Sequence, residues 1–305
     1  PKNHDLLFTS KKLGHEKEEA VAIEFQVDAR AIATTASGAR KLDITTAQTN
    51  PCFTNKTALQ SAVDSYISQG CSTNSSCAIG SSWGWPIGSW CTSLITDMSN
   101  LFSGKSAFND DLSGWNVGSV TDMTFMFYVA YAFNQNISGW NVGSVTNMNR
   151  MFSNAFKFNQ DISGWNVGSV TDMAYMFNSA TEFNQDISGW NVGSVKDMAY
   201  MFSGATTFNQ NISEWNVSSV KNMSYLFQGA SAFNRDISGW NVGSVTNMNA
   251  MFLSASRFNQ DISGWNVGSV TNMQEMFREA SVFNQDISKW NVGLVTNMNT
   301  MFGSA

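Results

Sequence analysis

The sequence predicts an α/β solenoid with one short parallel strand and one short helix in each 25-residue coil, closed at its N-terminal end by a disulfide-bonded cap. Two observations predict this fold. Tryptophan recurs every 25 residues, without insertion, from Trp90 to Trp290, and a fixed period of about this length is the signature of repeat architectures. Within each period, an extended pattern of apolar residues is followed by a helical one.

The strand is predicted in the first half of the repeat, of which residues 158–182 (FNQDISGWNVGSVTDMAYMFNSATE) are a typical unit. Trp165 and Val167 lie on one side of an extended stretch, which is the pattern of a half-buried strand. With Ile162 and Val170 they reproduce the L-x-x-L-x-L spacing of leucine-rich repeats. The sequence therefore predicts a leucine-rich-repeat-like coil.

The helix is predicted in the second half of the repeat. Thr171 is a suitable N-cap residue. The apolar residues that follow it have the i, i+3, i+4, i+7 spacing of one buried helix face. They are Met173, Met176, Phe177 and Ala180.

The chain divides into three parts. Residues 1–50 form a charged leader. Within it, large apolar residues alternate with other residues over Val21–Val27, which is the pattern of one strand. This strand is either part of a tether or donated to the edge of another sheet. Residues 51–89 are a helical, cysteine-rich cap, and residues 90–305 are the array of about nine coils.

The cap contains a predicted helix over residues 54–69, with Thr54 as its N-cap residue. Its apolar face is made of Leu59, Val63, Tyr66 and Ile67.

Four cysteines within one short window favour two disulfides over a zinc site, because the paired short spacings of zinc ligands are missing. The predicted helix separates Cys52 from Cys71 by roughly 25 Å, which is beyond disulfide reach. Two pairings remain, Cys52–Cys91 with Cys71–Cys77, or Cys52–Cys77 with Cys71–Cys91. We favour the first, because Cys71 and Cys77 close a short loop readily.

Disulfides place the protein in an oxidising compartment. Several N-x-S/T sequons agree with secretion. The candidate glycosylation sites are Asn55, Asn74, Asn136 and Asn211, with further sequons at Asn216 and Asn222.

Composition and charge argue against several functions. Charged residues make up 13% of the chain and the net charge of −6 is spread along it, whereas nucleic-acid binding needs clustered Lys and Arg. No apolar run is long enough to span a bilayer. The histidines, His4 and His15, lie in the leader, and the array contains no catalytic motif. We therefore expect no enzyme activity, no cofactor and no metal.

At one position of the repeat, most units have aspartate and some have asparagine. Aspartate stands at positions 161, 186, 236, 261 and 286, and its place is taken by Asn136 and Asn211. Exchange of Asp for Asn suits a turn better than acid–base chemistry or a calcium ladder.

The best candidate binding surface is a stripe of aromatic residues at the variable position that includes Tyr175. We expect it to be exposed on the outer face of the coils, together with Arg150, and exposed contiguous aromatics mark contact surfaces. Its residues are Phe125, Tyr128, Tyr131, Tyr175, Tyr200 and Tyr225. The Met and Trp ladders are interpreted as core. A ladder from Asn116 to Asn291 is either amide stacking between coils or a surface for a periodic ligand.

The repeat F-N-Q-D-I-S-x-W-N-V-x-x-V-x-x-M-x-x-M-F resembles the BspA-like surface-protein repeat over about residues 90–305. This leucine-rich-repeat-like class occurs in bacterial surface lipoproteins and in secreted proteins of unicellular algae. Residues 52–91 also resemble the region before such repeats in the algal members. The resemblance implies a secreted surface role and no chemistry.

Together these features favour a secreted or cell-surface structural or adhesive scaffold that contacts other proteins or copies of itself. The alternative is a glycan-binding module that uses the tyrosine stripe or the Asn ladder. The last coil places Met298, Met301 and Phe302 at core positions without a cap. We expect this coil to be covered, either by further residues of the chain or by a neighbouring subunit.

Overall fold

The computed structural model describes residues 51–305, so the strand predicted at Val21–Val27 lies outside the described residues. Helix α1 spans Lys56–Ser68, helix α2 spans Ala78–Trp83, and a 3₁₀ turn spans Ile87–Ser89. From residue 90 to residue 305 the chain forms turns joined by single parallel bridges. Within residues 51–305, no helix has the length and apolar character needed to cross a membrane.

The N-cap residue of helix α1 lies one residue later than predicted. Asn55, and not Thr54, is the N-cap: it has extended backbone angles and its Oδ1 accepts the Ala58 amide at 2.9 Å. Asparagine is among the best N-cap residues because its short side chain reaches an otherwise unpaired amide. Leu59 and Val63 are fully buried on the apolar face, as the spacing predicts.

Two disulfides hold the cap. Cys52 is bonded to Cys91, and Cys71 is bonded to Cys77. This is the pairing that the sequence favours. The first bond lies beside a backbone hydrogen bond of 3.0 Å from the Phe53 amide to the Cys91 carbonyl, so the start of the cap is fixed to the start of the array.

The repeat units stack in parallel register. Bridges join each bridge residue to the residue 25 positions later, from Asp97 through Asp172 to Asn297. The predicted strand position is therefore wrong. Trp165 and Val167 belong to turns, in which the Trp165 amide donates to Ile162 and the Val167 carbonyl accepts from three residues ahead. The bridge lies at Asp172 instead.

The predicted helix is also wrong. In residues 173–180 the amides alternate: Met176 donates back to the Met173 carbonyl, whereas Tyr175 donates to the Ala199 carbonyl of the next unit. An α-helix needs every amide to donate four residues back along its own chain. Thr171 does not cap a helix, because no helix follows it and its Oγ1 donates at 3.2 Å to the Thr146 carbonyl of the preceding unit.

The predicted core residues are nevertheless correct. Residues that recur every three or four positions share one side of a helix, and here they share the inner side of successive three-residue turns. All four residues of the predicted helix face are fully buried: Met173, Met176, Phe177 and Ala180.

Stacked rings fill the core at every unit. Phe152 lies 3.9 Å from Phe158, centroid to centroid, and 5.8 Å from Phe177 in the next unit. The Trp190 indole is buried, and its Nε1 donates at 3.1 Å to the Ile162 carbonyl of the preceding unit. The same bond recurs with every tryptophan from Trp115 to Trp290, so the indole joins neighbours by packing and by hydrogen bonding.

Helix α1 covers the first unit with polar side chains. Gln60 Nε2 donates at 3.1 Å to the Leu101 carbonyl, a position that in later units accepts the amide of the preceding unit. Lys56 forms an ion pair with Asp97 at 3.0 Å. Asp64, one turn beyond Gln60, forms an ion pair with Lys105 at 2.6 Å. The helix therefore supplies donors that a preceding unit would supply.

The last described unit is less covered than the others. Met301 is buried, whereas Met298 and Phe302 are partly exposed.

We expect Trp190→Ala to lower the free energy of unfolding by about 3–5 kcal/mol, as truncation of a buried aromatic residue does. Trp190→Phe keeps a ring but loses the bond to Ile162, and we expect a cost of about 1–2 kcal/mol. Equilibrium urea unfolding measures both. The control Gly189→Ala adds a methyl group in open space and should change stability by less than about 0.5 kcal/mol. Equal stabilities of the three variants would contradict the assignment of Trp190 to the core.

Candidate functional site

The aromatic stripe forms a continuous stack, which we call the aromatic column (Phe125, Arg150, Tyr175, Tyr200 and Tyr225). Tyr175 and Tyr200 lie 4.3 Å apart, centroid to centroid, with planes 7° from parallel. Tyr200 and Tyr225 have the same separation, with planes at 9°. The column follows the stacking of the units, because its members are spaced by one repeat.

Arg150 continues the column between aromatic rings. Its guanidinium carbon lies 3.9 Å from the Tyr175 centroid and 5.2 Å from the Phe125 centroid. A guanidinium group over a ring face is attracted by the negative face of the π system. Its Nη1 also donates to the Asn149 side-chain oxygen at 3.1 Å, and this bond helps to hold the guanidinium group in the column.

The column is half-buried and not fully exposed, which corrects the sequence-based expectation. Each ring covers the face of the next, so solvent reaches ring edges and hydroxyl groups. Burial, together with the neighbouring hydroxyls of Tyr225 and Tyr175, raises the pKa of Tyr200 well above its usual range. Tyr200 therefore presents a neutral hydroxyl group at physiological pH.

The residues of the column have a left-handed backbone conformation. Tyr200 has φ of 58°, a left-handed conformation that few side chains adopt without cost. Its amide donates at 2.9 Å to Ser224 of the next unit. Every member of the column shares this positive φ.

Two of the predicted stripe residues lie outside the column. Tyr128 packs edge-on against Phe125 at 5.3 Å. Tyr131 stacks on Phe156 at 4.7 Å, in a separate column, and both rings are more exposed than the tyrosines of the aromatic column. Sequence reasoning missed Phe156, although its spacing of 25 residues from Tyr131 is a usable signal.

A polar column runs beside the aromatic column, three residues later in each unit. Ser153 Oγ donates to Asn178 Oδ1 at 3.2 Å, and Asn178 Nδ2 donates to the Ser203 carbonyl at 3.1 Å. Ser203 Oγ then donates to Gln228 Oε1 at 2.6 Å. These residues were missed because no single one is unusual, but their chain of hydrogen bonds stiffens the same units that carry the tyrosines.

The Asn ladder from Asn116 to Asn291 is exposed, and each of its side chains closes a turn. Asn166 Oδ1 accepts the Gly168 amide at 3.1 Å. Asn191 Nδ2 lies 3.4 Å from the place that a Gly168 Cβ would occupy. The carboxamide oxygens are therefore engaged in local structure, and the Nδ2 groups lie against the glycine position of the preceding unit.

The alternating Asp/Asn register also closes turns. Asp161 Oδ1 accepts the Ser163 amide at 2.9 Å, and Asn136 and Asn211 accept the equivalent serine amides. The Ser163 hydrogen bonds lower the pKa of Asp161. The exchange of Asp for Asn follows from the shared acceptor oxygen. Within residues 51–305, no three His, Cys, Asp or Glu side chains converge as metal ligands would.

The predicted glycosylation asparagines differ in accessibility. Asn74, Asn136 and Asn211 are exposed in turns. Asn55 is exposed but caps α1. Asn222 is half-buried, and its Nδ2 donates to Asp197 at 3.3 Å, which occupies the atom that a glycan would modify.

The array matches one family repeatedly. The family described as "Mycoplasma protein of unknown function, DUF285" matches residues 74–179, 139–222, 160–245 and 211–305. No curated protein and no solved structure matches the chain.

We expect the array to lose stability as pH falls below about 5, through the unfolded-state pKa of Asp near 3.9 and down to the lower native pKa. The reason is that serine amides hold the native pKa of the register below its ordinary value at Asp161, Asp186, Asp236, Asp261 and Asp286. The stabilisation is present above the unfolded pKa and is lost on protonation. A variant with asparagine at these five positions should show a weaker fall in melting temperature between pH 5 and pH 3. An unchanged acid dependence would contradict this role.

We expect Tyr200→Ala to lower the free energy of unfolding by roughly 1–3 kcal/mol, because it removes two stacked pairs worth about 0.5–1.5 kcal/mol each. Tyr225→Ala removes one tyrosine pair and should cost about half as much. Urea unfolding of both variants gives the comparison. Equal costs below about 0.5 kcal/mol would mean that the stack contributes nothing to stability.

Proposed function

The chain belongs to the family described as Mycoplasma protein of unknown function, DUF285, and from this premise we propose that it is an extracellular structural or adhesive scaffold without catalytic activity. Its stacked units form one solenoid that presents side chains at fixed spacing. Its contacts are with proteins, including copies of itself. The observation that carries the proposal is the aromatic column.

The location outside the cell is supported by two disulfides, which persist in oxidising compartments. The similarity of the repeat to BspA-like surface proteins supports the same location. The solenoid is supported by parallel bridges and hydrogen bonds that recur at the repeat spacing through the whole array.

A protein partner is supported by the geometry of the aromatic column. Sugars stack against the open face of an aromatic ring, but Tyr200 has both faces covered, at 4.3 Å, by Tyr175 and Tyr225. What remains is a row of ring edges and hydroxyl groups beside Arg150. Tyrosine and arginine are enriched where protein interfaces are desolvated.

A glycan remains the second candidate, through the Asn ladder and not through the tyrosines. The ladder places an exposed carboxamide group at every unit. Hydroxyl groups lie next to it in the chain, such as Ser169 and Thr171, whose side chains donate to carbonyls of the preceding unit. A regular, neutral row of this kind matches a polymer with a short repeat.

The test is the adhesion of beads coated with the protein to cells of its source. We expect binding to be lost when the cells are treated with protease and to persist when periodate destroys surface glycans. A bead coat with Tyr175, Tyr200 and Tyr225 changed to Ser should bind at least tenfold less, a loss of about 1.4 kcal/mol.

The matched control changes Asn166, Asn191 and Asn241 to Ser, which alters the ladder in the same part of the array and leaves the tyrosines in place. This variant should bind as the parent does. Loss of binding after periodate, together with loss in the ladder variant, would replace the proposal with the glycan alternative.

A further inference from the structure

The aromatic column continues beyond its last tyrosine with residues of a different kind, and we call the whole surface the contact face. At the same position of the next units stand Ala250, Glu275 and Thr300. A flanking row lies four residues later in each unit and runs from Val129 to Ser304. Large and cationic side chains therefore lie at one end of the face, and small and anionic ones lie at the other.

Charge is unbalanced at both ends of the contact face. Within residues 51–305, Arg150 has no carboxylate at ion-pair distance. At the other end, Arg278 is shared by two carboxylates, those of Glu275 at 3.3 Å and Glu279 at 3.5 Å. One end thus carries a surplus positive charge and the other a surplus negative charge.

We propose that the contact face binds a second copy of the chain, turned end for end. This rests on the proposed function, in which the aromatic column contacts proteins, and it names the partner. A two-fold axis across the face, between Tyr200 and Tyr225, opposes the column to itself in reverse order. The opposed pairs are Arg150 with Glu275, Tyr175 with Ala250, Tyr200 with Tyr225, and Phe125 with Thr300.

Size is complementary in this register. Tyr175 faces the position of Ala250, whose side chain is fully buried and does not project from the face, and Arg150 faces an acceptor. At the axis, the flanking row contains Gly204 and Gly229, both with positive φ. A Cβ on Gly204 would lie 3.1 Å from Ser179 Oγ, so packing within the array favours glycine there, whereas a Cβ on Gly229 would meet no atom closer than 3.9 Å. The missing side chain of Gly229 therefore leaves space where the two backbones come closest.

Other registers fit less well. A shift by one unit places Arg150 opposite Ala250 or opposite Thr300. A parallel arrangement places Arg150 opposite its own copy, and like charges at an interface are unfavourable. The antiparallel register is the one that pairs both charged ends.

The stack of units bends little along the contact face. Successive phenylalanine rings of one core column differ in plane by 3 to 12°. Eight units at about 4.8 Å give a strip roughly 35 Å long, and a width of about 15 Å covers on the order of 500 Å² on each copy. The pair buries about 1,000 Å², the lower end for specific interfaces, so we expect a weak, concentration-dependent dimer.

Sedimentation velocity of the protein tests the proposal. The parent should form a dimer with rising concentration, and salt should weaken it, because salt screens charge pairs. Arg150→Glu and Glu275→Arg should each raise the dissociation constant at least tenfold. The double reversal should restore it to within about threefold, since Arg and Glu exchange places. Lys289→Glu, an exposed cation in the column of Gly164 and outside the contact face, should leave it unchanged.

Ala250→Tyr separates misfolding from lost association. Ala250 is fully buried, whereas tyrosine at the same position of three other units is half-buried and continues the column. We therefore expect the new ring to project from the face, and an unreduced melting temperature shows that the variant folds. Its new ring should block Tyr175 of the second copy and raise the dissociation constant at least tenfold.

The proposal is overturned by a parent that stays monomeric, by single reversals without effect, by a double reversal that does not restore the dimer, or by a dimer that tolerates Ala250→Tyr. Any of these results alongside bead adhesion that still depends on the tyrosines leaves the proposed function standing with a different partner. If the dimer is not found and bead adhesion does not depend on the tyrosines, both proposals are wrong.

Discussion

The structure depends on how each unit divides its backbone amides between itself and its neighbour. In residues 172–180, every second amide, beginning with those of Met173 and Tyr175, donates to a carbonyl of the next unit. The amides between them donate back within the unit. The Ala174 amide donates to the Asp172 side chain at 2.8 Å. Each buried amide therefore has an acceptor without any helix or extended strand. Unpaired backbone groups in a buried segment cost as much as lost hydrogen bonds, so the pattern leaves little freedom.

This division explains other features of the array. Among the amides that donate to the next unit, those of Tyr175, Tyr200 and Tyr225 belong to residues in the left-handed region, whereas those of Met173 and Phe177 do not. The side chains at those positions then align from unit to unit and stack. The aromatic column is thus a consequence of the turns that hold the units together, and its chemistry depends on which residues occupy a position that the backbone has already fixed.

The sequence predicts burial in this protein better than it predicts backbone conformation. The 25-residue period identifies Trp190, Met176 and Phe177 as core, because burial depends on recurrence alone. The same spacing of three and four residues fits a helix and a series of three-residue turns equally, and nothing in Met173–Ala180 distinguishes them. The turns prevail because their alternate amides can reach the next unit. That interaction between units is absent from any single repeat.

The candidate site shows the same limit. The spacing identified Tyr175, Tyr200 and Tyr225 as neighbours, which the structure confirms by their contact at 4.3 Å. It could not show that each ring hides the face of the next. Exposure depends on the distance between units, and that distance is set by backbone hydrogen bonds. The column therefore exposes ring edges and hydroxyl groups, and not ring faces.

The cap on the first unit has a consequence for how the chain folds. Helix α1 and its two disulfides precede the array, so they leave the ribosome first, and Gln60 already supplies a donor to Leu101. Contacts in the array span little more than one repeat, which keeps loop-closure entropy low although the bonds resemble those of a sheet. Each new unit can therefore close on a finished one, from the amino end onward. The cap acts as a template for vectorial folding, and a chain halted part-way along the array would carry folded units behind it.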